Sequence, residues 1–190
     1  LNPQTHAMLA QQLMNFNQSH AVPEYLAQVL REIPATAGLL QLYSFALKVN
    51  RRNEEANHVY QTFVREHHPS TAARILYETY LPRLYLSSNE IDTVRAEFKA
   101  ALERFIAEKP SLNIDQLRFL PTFELAYHNR DNKELMLLCN KMLRTVSPSL
   151  NYVAPHCKAA LLPRLGPIRI GFISCHMHHH PVGSCYRNVM

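Results

Sequence analysis

The sequence predicts a mainly α protein: an antiparallel helical array over 1–150, a linker over 151–167, and the first strand of an α/β domain in 168–190. Three observations carry this. Up to about residue 150 glycine is nearly absent, with Gly38 alone, while helix formers dominate. Apolar residues in that part recur at helical spacing behind recognisable cap residues. After it come Gly166, Gly171 and Gly183 with Pro155, Pro163, Pro167 and Pro181, and a short β-type run, so the architecture changes.

Taken in order, helices are expected to start near Pro3, Pro23 and Ala35. A helix opening at Asn53, "NEEANHVYQTFVREHHP", puts Ala56, Val59, Tyr60, Phe63 and His67 on one face, with Pro69 past its end. Another begins near Ser70. The clearest start is "LSSNEI": Ser87 can cap the N–H of Glu90 while Glu90 reaches back to Ser87, a capping box, with Leu86 and Ile91 as the hydrophobic staple. That helix carries Val94, Phe98, Ala101, Leu102 and Phe105 inward as far as Pro110. One more helix is expected near Asn113. The last opens at Asp131 with Glu134 and turns Leu135, Leu138, Cys139, Met142 and Val146 inward.

In the second part, "RLGPIRIGFIS" reads as a turn and then a strand over 168–174, because Ile168, Ile170, Phe172 and Ile173 are β-branched or aromatic. A nearly continuous apolar run suits a parallel strand buried on both faces. One strand cannot make a sheet, so the chain is expected to be a piece of a longer protein, cut at both Leu1 and Met190.

Charge is unevenly spread. The last acid is Glu134; residues 1–134 are close to neutral, while 135–190 carry Lys141, Arg144, Lys158, Arg164, Arg169 and Arg187 unopposed. Either this surface receives an anionic ligand, such as a phosphate or nucleotide sugar, or the balancing acids lie elsewhere in the protein. Scattered basic residues without interleaved aromatics argue against nucleic acid. No apolar run is long enough to span a membrane. Cys139, Cys157, Cys175 and Cys185 have no framework spacing, which points to free thiols in a reducing, cytoplasmic compartment.

The segment "CHMHHHPVGSC" follows the carboxyl end of the expected strand, where open α/β sheets bind ligands. Cys175, Cys185 and His176, His178, His179 and His180 supply donors for a metal, but their spacing matches no zinc pattern, and no metal is expected. One histidine aimed into a cleft suffices for an active site. The imidazoles of His176, His178 and His179 read individually as solvated.

Residues 37–69 resemble a tetratricopeptide repeat, with Leu40, Tyr43, Leu47, Ala56, Tyr60 and Phe63 near its small and large positions and Ser44 where glycine is usual. The next unit, 70–111, is longer and departs from that pattern. "IRIGFISCHMHHHPVG" resembles the opening strand and loop of the catalytic region in the O-linked N-acetylglucosamine transferases, including the SPINDLY-like proteins. The matching elements are Ile168 to Ile170, Gly171-Phe172-Ile173-Ser174, His180-Pro181 and Gly183. Upstream, "YLPRLYLSSNEIDTVRAEFKAALERF", "PTFELAYHNRDNKEL" and "SPSLNYVAPHC" are similar to the helical segment before that region in bacterial members, so the resemblance covers roughly 70–190. Cys175-His176-Met177 departs from the family pattern.

The resemblance implies a two-lobed, Rossmann-like (GT-B type) enzyme. It would transfer a sugar, N-acetylglucosamine or another hexose, from a UDP-sugar to Ser/Thr or Asn of a polypeptide acceptor, with inversion and with neither metal nor cofactor. It implies His180 as the catalytic residue and His179, Pro181 and Gly183 as substrate contacts. The 190 residues alone are expected to transfer no sugar. The alternative from the helical part is a helical-repeat interaction domain without catalysis.

Overall fold

The computed structural model describes residues 2–16, 18–117, 120, 122–158, 171, 173–174, 178 and 180–186. The chain forms two compact units, Leu1–Tyr152 and Val153–Met190. Among the described residues the protein is mainly helical and holds no strand.

The first unit contains α1 (Pro3–Asn15), α2 (Val22–Glu32), α3 (Ala37–Val49), α4 (Asn53–His67), α5 (Thr71–Glu78), α6 (Ser88–Glu108) and α7 (Lys133–Val146). Side-chain caps fix several starts. Asn2 accepts from Thr5 N–H, Thr36 from Leu39 N–H, Ser70 from Ala73 N–H and Ser87 from Glu90 N–H. With almost no glycine available, α4 and α6 end on non-glycine residues in the left-handed region, His68 and Lys109.

Four sequence expectations change in detail. Glu90 does not close the box on Ser87; it accepts from Leu86 N–H at 2.6 Å and also takes the guanidinium of Arg51. Leu86 is 86% exposed, so no staple forms with Ile91. Asn113 caps only a 3-10 turn, Ile114–Gln116, and α7 starts two residues after Asp131, whose carboxylate accepts from Lys133 N–H at 2.9 Å.

Two apolar cores and an aromatic seam hold this unit together. Ala10, Val22, Leu26, Val29, Leu39 and Ala46 join α1, α2 and α3. Ile75, Leu81, Phe98, Leu102, Phe105, Leu135, Cys139 and Met142 join α5, α6 and α7. Burial pushes the Cys139 thiol up to about 11, so it behaves as a core hydrophobe. Leu40, Tyr60, Phe63 and Tyr77 form the seam between α3, α4 and α5. Leu40 at the start of α3 packs against Phe63 near the end of α4, and only Asn50–Arg52 connect the two helices, so they form an antiparallel hairpin. No helix among the described residues is long and apolar enough to cross a membrane.

The second unit contains the short helices α8 (Pro155–Lys158) and α9 (Pro181–Tyr186). Of the strand expected over 168–174, residues 168–170 and 172 lie outside the described residues. Gly171, Ile173 and Ser174 are described and carry no strand, and Ile173 is fully exposed at 100% rather than buried between helices. An extended segment needs a neighbouring strand to satisfy its ladder.

Candidate functional site

A groove of about 880 Å³ opens on the first unit. It exists because α4 packs on α3 and α6 packs on α7, which leaves one face of α4 and one face of α6 opposite each other across open space. Asn53, Asn57 and Gln61 stand along the α4 wall, and Val94, Glu97, Ala101 and Arg104 along the α6 wall. Lys48 from the end of α3 and Tyr77 and Glu78 from α5 also line the groove.

Tyr60 and Tyr77 stack with ring centroids 3.8 Å apart and planes 9° apart. Their hydroxyls diverge: Tyr60 donates to Glu78 Oε1 at 2.6 Å, and Tyr77 donates to Asn57 Oδ1 at 3.2 Å. Burial pushes both phenols well above their ordinary range, and the neighbouring Glu78 charge adds to this.

Glu78 is the electrostatic centre of the groove. Arg74 Nε donates to its Oε1 at 3.2 Å, Arg104 donates to Oε2, and Arg74 also pairs with Glu108 at 2.8 Å. Burial alone would raise the Glu78 carboxyl, but the hydrogen bonds from Tyr60 and Arg104 and the charges of Arg74 and Arg104 outweigh it and hold the group below the usual carboxylate range. Arg51 and Glu90 form another ion pair in the groove lining.

Lys48 is placed differently. Its ammonium donates to the Tyr77 carbonyl at 2.8 Å and lies 4.2 Å from the Tyr77 ring centroid. Desolvation lowers it to about 8, against the opposing pull of the Glu97 and Glu78 charges. Among the described residues it has no carboxylate at ion-pair distance, whereas Arg51, Arg74 and Arg104 are all paired.

The residues singled out from sequence lie in the second unit. His180 is half-buried and immediately precedes α9; its N–H donates to the His178 carbonyl at 2.7 Å and its own carbonyl accepts from Ser184 N–H at 2.9 Å. The His178 and His180 rings sit edge to face with centroids 6.1 Å apart. Pro181 is exposed at the start of α9, where its missing N–H costs nothing, and Gly183 is buried. His179, with Cys175, His176 and Met177, lies outside the described residues. Among the described residues no group of three or more metal-ligating side chains comes together.

In the sequence Tyr60 stands on the apolar face of a helix, and nothing local marks Lys48, Arg74, Tyr77, Glu78 or Arg104. The available signal was the amide column Asn53, Asn57, Gln61, at four-residue spacing on a helix that also buries Ala56, Tyr60 and Phe63. No family model matches the chain, and neither a curated protein nor a solved structure matches it.

Proposed function

We propose that the helical unit is a polypeptide-binding module of a protein glycosyltransferase, an enzyme that moves a sugar from a UDP-sugar to a Ser/Thr hydroxyl or Asn amide of the bound chain. The observation that best supports the binding half is the groove wall of α4. Asn53, Asn57 and Gln61 recur about every 6 Å along the helix, close to the roughly 6.7 Å repeat of an extended strand. A side-chain amide carries a donor and an acceptor, as a peptide group does. The α3–α4 hairpin suits the tetratricopeptide-like reading of residues 37–69.

The transfer half rests on the resemblance of residues 168–183 to the start of the catalytic region in the O-linked N-acetylglucosamine transferases and SPINDLY-like proteins. In that reading 168–174 is the first strand of a Rossmann-like lobe. His180 is the catalytic residue, and His179, Pro181 and Gly183 contact substrate. The acceptor atom attacks the anomeric carbon as its bond to the UDP oxygen breaks, and His180 takes the acceptor's proton or orients the acceptor. No metal is required, since positive charge and helix N-termini can stabilise the departing diphosphate. The setting is cytoplasmic.

A second reading is an interaction module without chemistry. It is favoured by the groove being built wholly from residues of the first unit.

The test is transfer from a labelled UDP-sugar to a peptide acceptor by the full-length protein. His180→Ala is expected to slow transfer by about 10²-fold or more while leaving peptide binding intact. His178→Ala and His179→Ala should cost much less. Full activity in His180→Ala overturns the catalytic assignment, and peptide binding without any transfer by the wild-type protein selects the second reading.

A further inference from the structure

Every arginine that lines the groove already has a carboxylate, and among the described residues Lys48 has none at ion-pair distance. A desolvated ammonium over an aromatic ring is stabilised by the ring quadrupole and by one carbonyl, which leaves two of its three N–H donors for a further acceptor. The nearby acids do not supply one. Glu78 is committed to Tyr60, Arg74 and Arg104, and Glu97 is exposed on α6, beyond ion-pair distance. We propose that Lys48 is the anchoring cation of the groove, and that the polypeptide it holds carries a carboxylate which seats on the Lys48 ammonium beside the Tyr60–Tyr77 stack. This rests on the reading of the groove as a polypeptide site and adds the class of segment it selects, an acidic one.

The α4 wall from Asn53 to His68 is about 22 Å long, enough for an extended segment of about seven residues. A carboxylate at Lys48 returns to the amine the counter-charge that burial denies it, so binding should draw in a proton as the pH passes the free amine's value of about 8. Of the groups around it, Tyr60, Tyr77 and Tyr80 are pushed upward by burial, away from that window, and Glu78 is held below the usual carboxylate range. Glu97, Arg51 with its partner Glu90, Arg74 and Arg104 with Glu108, and His68 at the far end of α4 complete the titratable and charged lining of the groove.

The experiment is calorimetric titration of the full chain with heptapeptides, each acetylated, built on alanine. One carries a central glutamate and a C-terminal amide, one a central glutamine and a C-terminal amide, and one a central glutamine and a free C-terminus. The glutamate peptide is expected to bind at least tenfold more tightly than the amidated glutamine peptide at pH 7. Binding should weaken by about tenfold at pH 9 and take up a proton in between. Lys48→Met should reduce the glutamate peptide to the level of its amidated glutamine control, Lys48→Arg should retain the preference, and His68→Ala should leave the pH profile in place. A Lys48-dependent preference for the free C-terminus over its amide upholds the anchor and names the terminal carboxylate as its source.

Equal binding of all three peptides, in wild type and variants alike, overturns the inference while the groove reading stands: Lys48 is then only a cap on the carbonyl end of α5. If no peptide binds, both fall. The wild-type pH profile needs no substitution, so it decides the matter even where Lys48→Met lowers stability.

Discussion

The helical unit buries two polar centres, and they solve the same problem in opposite ways. Glu78 keeps its charge. Three donors from α4, α5 and α6 converge on one carboxylate whose side chain is only 11% exposed. His128, 1% exposed, gives its charge up. Its Nδ1 faces the guanidinium of Arg95 at 3.4 Å, and a guanidinium only donates, so Nδ1 accepts and the proton sits on Nε2, which donates to Tyr85 Oη at 2.7 Å. Burial lowers His128 first, and the charges of Arg95 and Arg130 lower it further. Arg95 is fixed in turn by Asn132 Oδ1 and the Asp131 carbonyl, both at 2.6 Å. The difference teaches where each solution fits. A charge can be buried at a groove lined by arginines, whereas inside the α6–α7 region a neutral tautomer is the cheaper form.

The largest effect should come from the neutral centre. His128→Ala leaves a cavity and strands the Tyr85 hydroxyl and Arg95, for an expected loss of about 3 kcal/mol in denaturant unfolding. A loss under 1 kcal/mol would show that water replaces the ring without penalty. Glu78→Ala should cost less, about 2 kcal/mol, because Arg74 and Arg104 reach solvent once released. If it costs more than His128→Ala, the ranking of the two solutions is reversed.

Acid separates the two by window. Both groups are lowered on folding, so each contributes stability that is present above its unfolded value and is lost as pH falls. For His128 that loss begins below 6.5, and for Glu78 below 4.5. Denaturation midpoints followed from pH 8 to pH 3 should therefore fall in two stages. His128→Gln should remove the upper stage and Glu78→Gln should blunt the lower one. A single stage that survives in His128→Gln would assign the upper descent elsewhere. The smallest effect concerns neither centre and serves as a control. Lys109→Gly relieves a left-handed C-cap with φ 50° and should add about 0.5–1 kcal/mol without altering either stage.

Much of the helical frame was legible because its signals are local. Asn53 and Ser87 announced α4 and α6, and of the five residues expected inward on α7, Leu135, Cys139, Met142 and Val146 are buried while Leu138 is half-buried. Local signals failed where a distant residue competed. Glu90 left Ser87 for the Leu86 N–H and Arg51, which no reading of "LSSNEI" contains. Leu86 stayed outside because that stretch of chain turns its side chain to solvent. The groove was illegible for the same reason. Periodicity reports which face of α4 is apolar, not that α6 stands off from it, and Lys48 meets Tyr77 across 29 residues of sequence. The histidine-rich segment was legible as chemistry only, since imidazoles so close together in sequence say little about the geometry they adopt.

The tyrosine stack has an optical consequence. The chain has nine tyrosines and no tryptophan, so its near-ultraviolet emission belongs to phenols alone. A phenol hydrogen-bonded to a carboxylate is quenched by proton transfer in the excited state, and a ring stacked at 3.8 Å shares its excitation with its neighbour. Tyr60 should therefore be dark in the closed arrangement and brighten when its hydroxyl leaves Glu78. An occupant that parts Tyr60 from Glu78 or from Tyr77 reports its own arrival as light, with no label attached to either molecule.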